Sequence, residues 1–269
     1  MSARRATGLL IVTAFVATAW VAAHAQATTK PFEPTVGQAG KDVVWVPTPQ
    51  ALVEKMLDLA KLTPQDFLMD LGSGDGRTVI TAAKRGATAQ GIEYNPDMVE
   101  LSKKNAAAAG VTAKATFVKA DLFETDFSKA QVITMFLLPS INMRLRPQIL
   151  KMRPGTRIVA NTFTMEDWEP DTSETIGGDC TSWCTAHLWI VPAQVQGTWQ
   201  AGQNALTLTQ KFQNVTGTLG STAITGGKLR GDEITFSAGG TKYTGKVNGN
   251  SISGTMSGGS SGSWSATKK

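Results

Sequence analysis

Residues 67–77 read Phe67-Leu-Met-Asp-Leu-Gly-Ser-Gly-Asp-Gly-Arg77, and this stretch decides the fold. An apolar run ends at Asp70. Glycines follow at alternate positions, Gly72, Gly74 and Gly76, and a helical pattern then runs from Arg77 to Arg85. Strand, acid, glycine turn and helix make a site where a ligand lies against main chain, because a Cβ would block its approach. The helix N-terminus offers N–H groups to an anionic part of that ligand. A dinucleotide fingerprint needs glycine where Arg77 stands, and a phosphate-binding loop needs Gly-Lys-Ser/Thr, which is absent.

Working outward, short apolar runs alternate with helical patterns over residues 43–193. Thr48–Leu62 carries Leu52, Met56, Leu59 and Leu62 at helical spacing. Strands are expected at 67–69, 89–93, 115–118, 132–137, 157–160 and 186–191, and further helices at 77–85, 96–109 and 141–152. Pro96 and Gly110 punctuate the third helix as capping requires. This alternation predicts an α/β, doubly wound, mostly parallel sheet with helices on both faces.

The turn Gly72-x-Gly-x-Gly76 behind Asp70 resembles the first motif of class I S-adenosylmethionine (SAM)-dependent methyltransferases. The resemblance implies a Rossmann-like methyltransferase fold, SAM as cofactor, and a ligand carboxylate facing the glycine turn. Candidate cofactor-binding residues are Asp70, Gly72, Ser73, Gly74, Gly76, Glu93, Tyr94 and Asp121. Glu93 ends the second strand, where an acid about 20 residues on is placed for both ribose hydroxyls. By resemblance, Asp121, after the third strand, accepts from the adenine amino group. Tyr94 is either a stacking partner for the adenine or a half-buried loop tyrosine.

Val46-Pro-Thr-Pro49, the DLGSGDGR turn, Phe136-Leu-Leu-Pro139, Arg146-Pro and Pro154-Gly-Thr-Arg-Ile158 narrow the resemblance. They look like the mitochondrial and bacterial protein-lysine methyltransferase group, whose mitochondrial members act on ATP synthase and on the adenine nucleotide translocase. The likeness covers about residues 43–191. Phe136-Leu-Leu-Pro139 offers no polar side-chain acceptor, which disfavours amide and nucleobase nitrogens and favours an amine, with protein lysine one candidate. Thr48, Leu138 and Pro139 are channel-lining candidates by the same resemblance; capping by Thr48 and strand-end packing by the other two are the alternatives. No specific catalytic residue is assigned. His187 reads as a structural strand residue, and the acids around Trp168 (Glu166, Asp167, Glu169, Asp171) as a solvated loop.

Residues 194–269 differ in kind. Gly, Thr and Ser dominate, Leu206-Thr-Leu208-Thr alternates with period two, and Gly226-Gly227, Gly231-Asp232, Gly239-Gly240 and Asn248-Gly249 read as turns. VTGTL (215–219), YTGKV (243–247) and ISGTM (252–256) echo one another. An antiparallel β meander or small barrel is expected, with Trp199 and Trp264 in its core. The passage Leu188–Ala193 into Gly197-Thr-Trp199 resembles exported bacterial methyltransferase-like proteins with an appended β module.

Residues 1–27 read as a secretory signal: Arg4 and Arg5, an apolar run from Leu9 to Ala23, and small-x-small sites at Ala23–Ala25 and Ala25–Ala27. Residues 28–42 are an extended lead-in. The mature chain is therefore expected to be exported, periplasmic or secreted, with no stable membrane span after cleavage; an uncleaved leader serving as inner-membrane anchor is the alternative. Cys180 and Cys184 then lie in a disulfide-permissive compartment, where a bonded pair and two free thiols are both compatible with the spacing. With His187 they give three zinc ligands and no fourth, so no metal site is expected. The net charge of +5 comes from residues 197–269, which carry seven Lys and Arg against two acids, without the dense basic and aromatic interleaving of a nucleic-acid surface. The methyl acceptor is open, with a protein among the candidates, and oligomeric state is not legible. A non-catalytic SAM-fold or β-domain binding protein of the cell envelope is the competing function, because SAM is a cytoplasmic metabolite.

Overall fold

The computed structural model describes residues 1–2, 32–178 and 180–269; the leader expected over 1–27 lies, apart from Met1 and Ser2, outside them. Among the described residues no helix is long and apolar enough to cross a membrane.

The first half alternates as its pattern requires: α1 (Gln50–Leu59), β1 (Phe67–Leu71), α2 (Arg77–Lys84), β2 (Thr88–Glu93), α3 (Pro96–Ala108), β3 (Ala115–Lys119), β4 (Val132–Met135), α4 (Pro139–Ile149) and β5 (Arg157–Asn161). A hairpin follows, β6 (Thr172–Thr175) and β7 (Thr185–Ile190). The sheet runs β3-β2-β1-β4-β5-β7-β6. β1 to β5 pair in parallel, and β7 lies antiparallel to both β5 and β6. β6 is an addition to the expected strands: Thr172-Ser-Glu-Thr175 is exposed throughout and carries no apolar signal.

Strand residues divide by parity between the two faces. Leu68, Val132, Val159 and Leu188 meet α1 and α2 residues such as Leu52, Leu57 and Val79 in one core. Met69, Leu71, Ile133, Met135 and Ile158 meet Ile141, Leu145 and Ile149 of α4 in the other. α3 begins as expected: the Asn95 side chain accepts from the N–H groups of Asp97 and Met98, and Pro96 stands at its first turn.

The acidic loop departs from expectation. Trp168 is fully buried, and its ring faces Trp189 at 6.4 Å and stacks on Phe212 at 5.6 Å. Asp167 pairs with Arg146 at 2.6 Å, and Asp171 accepts the Ile190 N–H at 2.8 Å. Asp167 and Asp171 thus hold structure, while Glu166 and Glu169 are exposed as a solvated loop requires.

The remaining strands are β8 (Gly197–Ala201), β9 (Asn204–Lys211), β10 (Asn214–Leu219), β11 (Thr222–Ala223), β12 (Thr225–Arg230), β13 (Glu233–Ala238), β14 (Thr241–Asn248), β15 (Ser251–Gly258) and β16 (Gly262–Lys268). Except for the two-residue β11, they form a closed eight-stranded antiparallel barrel: β9 pairs with β10, and the last strand pairs with the first, Thr267 opposite Gln200. Closure removes the free edges a Gly-rich meander would expose. Trp199, Leu206, Ile234, Phe236, Ile252 and Trp264 fill it. The repeated Thr/Ser-Gly echo now has a reason at Gly245: a Cβ there would lie 2.8 Å from the Trp264 ring. Gly226-Gly227 is a correction. The pair sits inside β12, where the register against β13 shifts between Thr225 and Lys228, so it makes a bulge and not a turn.

Residues Glu33–Lys269 form one compact unit. Ala193 and Val195, from the connection, are buried in the barrel core, and the Ala193 N–H donates to the Gly231 carbonyl at 2.8 Å. Gln213 donates to the Glu169 carbonyl at 2.8 Å.

Candidate active site

Strand order reverses at β1, which has β2 on one side and β4 on the other. In an open α/β sheet that reversal leaves a crevice beyond the strand ends, and a cleft opens there. Its lining includes Thr48, Asp70, Gly72, Ser73, Gly74, Glu93, Tyr94, Asp121 and Leu138. Two of the expected residues are not part of that lining, Gly76 and Pro139.

The glycine turn is held from several sides. The Gly72 and Ser73 N–H groups donate to the Ile92 carbonyl at 2.9 and 3.0 Å. Ser102 Oγ donates to the Gly74 carbonyl at 2.8 Å and Asn105 Nδ2 to the Asp75 carbonyl at 3.0 Å, so α3 fixes the turn. All three glycines are left-handed, φ +79°, +54° and +83°, but their reasons differ. A Cβ on Gly74 would reach to 2.6 Å from Trp45 Nε1, across the cleft wall. A Cβ on Gly76 would instead strike the Phe117 ring at 2.7 Å and Ser102 at 2.9 Å. Gly76 is a packing glycine at the start of α2 and lies outside the cleft lining. Pro139 is likewise the first residue of α4. Ser73 lines the cleft, yet its hydroxyl is buried without a hydrogen-bond partner, against the position a Gly91 Cβ would take.

Four carboxyl groups gather at this end. Glu93 accepts the Gly74 N–H at 3.0 Å and the Asn95 N–H at 2.9 Å, which fixes it at the end of β2. Asp70 is buried and accepts from Thr134 Oγ1 at 2.7 Å. Burial, with the Asp75 and Glu93 charges adding to it, pushes the Asp70 carboxyl up to about 7. Asp75 is clamped by Arg77, whose Nη1 also donates to the Thr48 carbonyl at 2.8 Å. Asp121 accepts the Phe123 N–H at 2.9 Å and pairs with Lys41, which holds its carboxyl below the usual range.

Lys41 belongs to a strap invisible as a site in the sequence. Gly37 N–H donates to the Trp45 carbonyl and Trp45 N–H to the Gln38 carbonyl, both at 2.9 Å. The loop so closed brings residues 38–48 over the cleft, with Lys41 4.9 Å from the Tyr94 ring centroid. The expected lead-in over 28–42 thus supplies part of the wall. Thr48 caps nothing; Pro49 occupies the cap position of α1, and Thr48 Oγ1 accepts from Asn161 Nδ2 at 3.3 Å.

The other end of the cleft is apolar: Phe136, Leu138, Ile141, Phe163 and Trp183. Trp183 arrives on the β6–β7 connection, where Cys180 and Cys184 are bonded. His187 lies outside this lining; its ring nitrogens face Ser173 Oγ at 2.8 Å and the Thr162 carbonyl at 3.1 Å, the structural role expected of it. Among the described residues no group of acids, Cys and His could hold a metal ion.

A small-residue turn, acids at three successive strand ends and an apolar wall beside them suit a nucleoside carrying a cationic sulfur. Together with the sheet order they define a SAM-dependent methyltransferase. Comparison with known proteins is specific. The profile of the ANTKMT methyltransferase domain matches residues 70–172. A protein-lysine N-methyltransferase of Saccharolobus islandicus is 44% identical over 131 residues, covering 48% of this chain and 81% of that protein. The mouse lysine N-methyltransferase of the ATP synthase C subunit is 32% identical over 173 residues, 63% of this chain and 68% of that one. Among solved structures, an RNA methyltransferase from Salinibacter ruber in complex with S-adenosyl-L-homocysteine (SAH) shares 45% identity and a TM-score of 0.52, over 56% of this chain and 96% of that chain. The chain belongs to this family of SAM-dependent methyltransferases, the one that includes the protein-lysine N-methyltransferases.

Proposed function

We propose that the protein methylates the side-chain amine of lysine in a protein, and that it works outside the cytoplasm after removal of residues 1–27. The observation that carries the acceptor reading is the two-ended cleft: fixed carboxylates at one end, and at the other a wall of Phe136, Leu138, Ile141 and Phe163 with no acid or amide among them. Two named relatives act on protein lysines, which supports a protein over a nucleic acid.

Glu93, Asp121 and the Gly72–Gly74 main chain are the groups proposed to hold the cofactor, with Tyr94 against its base. Bound SAM supplies a methyl group already activated on a sulfonium. The chain's own contribution is alignment and desolvation. The apolar wall favours the neutral amine over the ammonium, because burial penalises the charged form, and it keeps water from the reacting atoms. The proton leaves to solvent at the open mouth. No general base is then required.

Calorimetric titration of the protein with SAH tests the cofactor site. Binding is expected, and Glu93→Ala is expected to weaken it at least a hundredfold. Transfer of labelled methyl from SAM into cell-envelope protein, removed when lysines are chemically blocked, tests the acceptor. Label entering RNA and not protein would reverse the acceptor assignment. A reporter fused after residue 30 reads out export directly.

A further inference from the structure

Trp183 is an unusual residue to find exposed. It is 43% accessible at the mouth of the cleft, and its backbone is left-handed at φ +55°, a conformation that is strained for a bulky side chain. Its neighbours explain the placement. Phe136 and Phe163 stack at 5.9 Å with an 18° interplanar angle, and Trp183 leans on Phe136 at 6.0 Å and 59°. The three rings share the cleft that holds Glu93 and Asp121.

We propose that Phe136, Phe163 and Trp183 form a subsite for the cationic end of the methyl acceptor, a primary or methylated ammonium, and that the Cys180–Cys184 bond positions Trp183 within it. The inference rests on the methyltransferase reading and adds the acceptor's point of entry. Ring faces attract ammonium groups, and indole does so best. Among the described residues the basic side chains of the lining are Lys41 and Arg77, and both are paired at the carboxylate end, with Asp121 and Asp75. The bond links positions four apart in the β6–β7 connection, with Trp183 beside Cys184. A loop closed that tightly has few other conformations, so it can hold a strained residue in place. The charge is attracted at the wet rim, where Trp183 and Leu138 are exposed, and is lost as the amine moves inward toward the buried Leu137 and Ile141. Trp183 is thus a recognition residue, and the two cysteines are positioning residues.

The test is indole NMR of the SAH-loaded protein, with the Trp183 signal assigned by its loss in Trp183→Phe. Nα-acetyl-lysine methylamide, its trimethylated form and the neutral norleucine counterpart are the probes. The Trp183 signal is expected to shift saturably with both cations and not with norleucine. Cys180→Ser/Cys184→Ser is expected to weaken the cation response roughly threefold to tenfold, with SAH affinity unchanged. An equal response to norleucine, or none to the cations, overturns the subsite; an unaltered response in the double variant overturns the positioning role. Failure to bind SAH at all would instead strike the methyltransferase reading, so the two failures are separable.

Discussion

Asp70 gives the folded protein a pH response of its own. Its carboxyl is raised to about 7 by burial first and by Asp75 and Glu93 after it. A raised acid favours the folded state below its unfolded value near 4, and that contribution is lost as pH rises through 7. Asp70→Asn keeps an acceptor for Thr134 Oγ1 and removes the charge. Relative to wild type, the variant should therefore gain stability between pH 4 and pH 7, by about 1.4 kcal/mol per unit to a ceiling of about 4 kcal/mol. Denaturant melts at three pH values check this. A cationic ligand in the cleft should draw the proton off, so SAM binding at pH 7 should release protons in wild type and not in Asp70→Asn. Titration in two buffers of different ionisation enthalpy measures that release. Gly74→Ala acts differently: its Cβ would press to 2.6 Å from Trp45 Nε1 at φ +54°. It should lower SAH affinity at least tenfold while costing about 1–2 kcal/mol of stability.

At the scale of elements, the strap over residues 38–48 is the part that sequence could least reveal. Residues 67–77 announce their purpose, because acid, alternate glycines and helix start form a local pattern. Glu93 and Asp121 follow from their places at strand ends. Lys41 and Trp45 carry no such mark: their roles depend on contacts with Asp121, 80 positions away, and with Gly74. Trp183 is silent for a related reason, since nothing in Cys180–Cys184 tells which cleft the loop will face. β6 is silent because its four residues have no buried face. Conversely, Gly76 has the same spacing as its two neighbours and yet serves Phe117; spacing shows that a Cβ is forbidden, not what forbids it. The strap's charge pair gives its own prediction. Lys41→Ala frees Asp121 and removes a cation from beside Tyr94. If Asp121 takes the adenine amino group, the variant should bind SAH more tightly, by twofold to tenfold in calorimetry, since Lys41 no longer competes for that carboxylate.

For the molecule as a whole, the change of composition near residue 194 marks two sheets, but the compact unit runs through both. Phe212 is one of the contacts that join them, beside the Gln213–Glu169 hydrogen bond. It sits in the turn between β9 and β10, stacks on Trp168 at 5.6 Å and faces the Arg146 guanidinium at 5.2 Å. It thereby packs a barrel residue into the core beneath α4. Phe212→Ala should cost about 2–3 kcal/mol, and the calorimetric melt should change from one transition to two. A single unsplit transition would show that the two sheets unfold together without this contact. The barrel has a second property, set by its closing pair. Thr267 lies opposite Gln200, and the Lys269 N–H donates to the Thr198 carbonyl at 3.0 Å. The segment therefore enters and leaves its own body at almost one point. That meeting of first and last strands is what seals the cylinder, so loss of the final turn of chain would reopen a seam along β8 and β16.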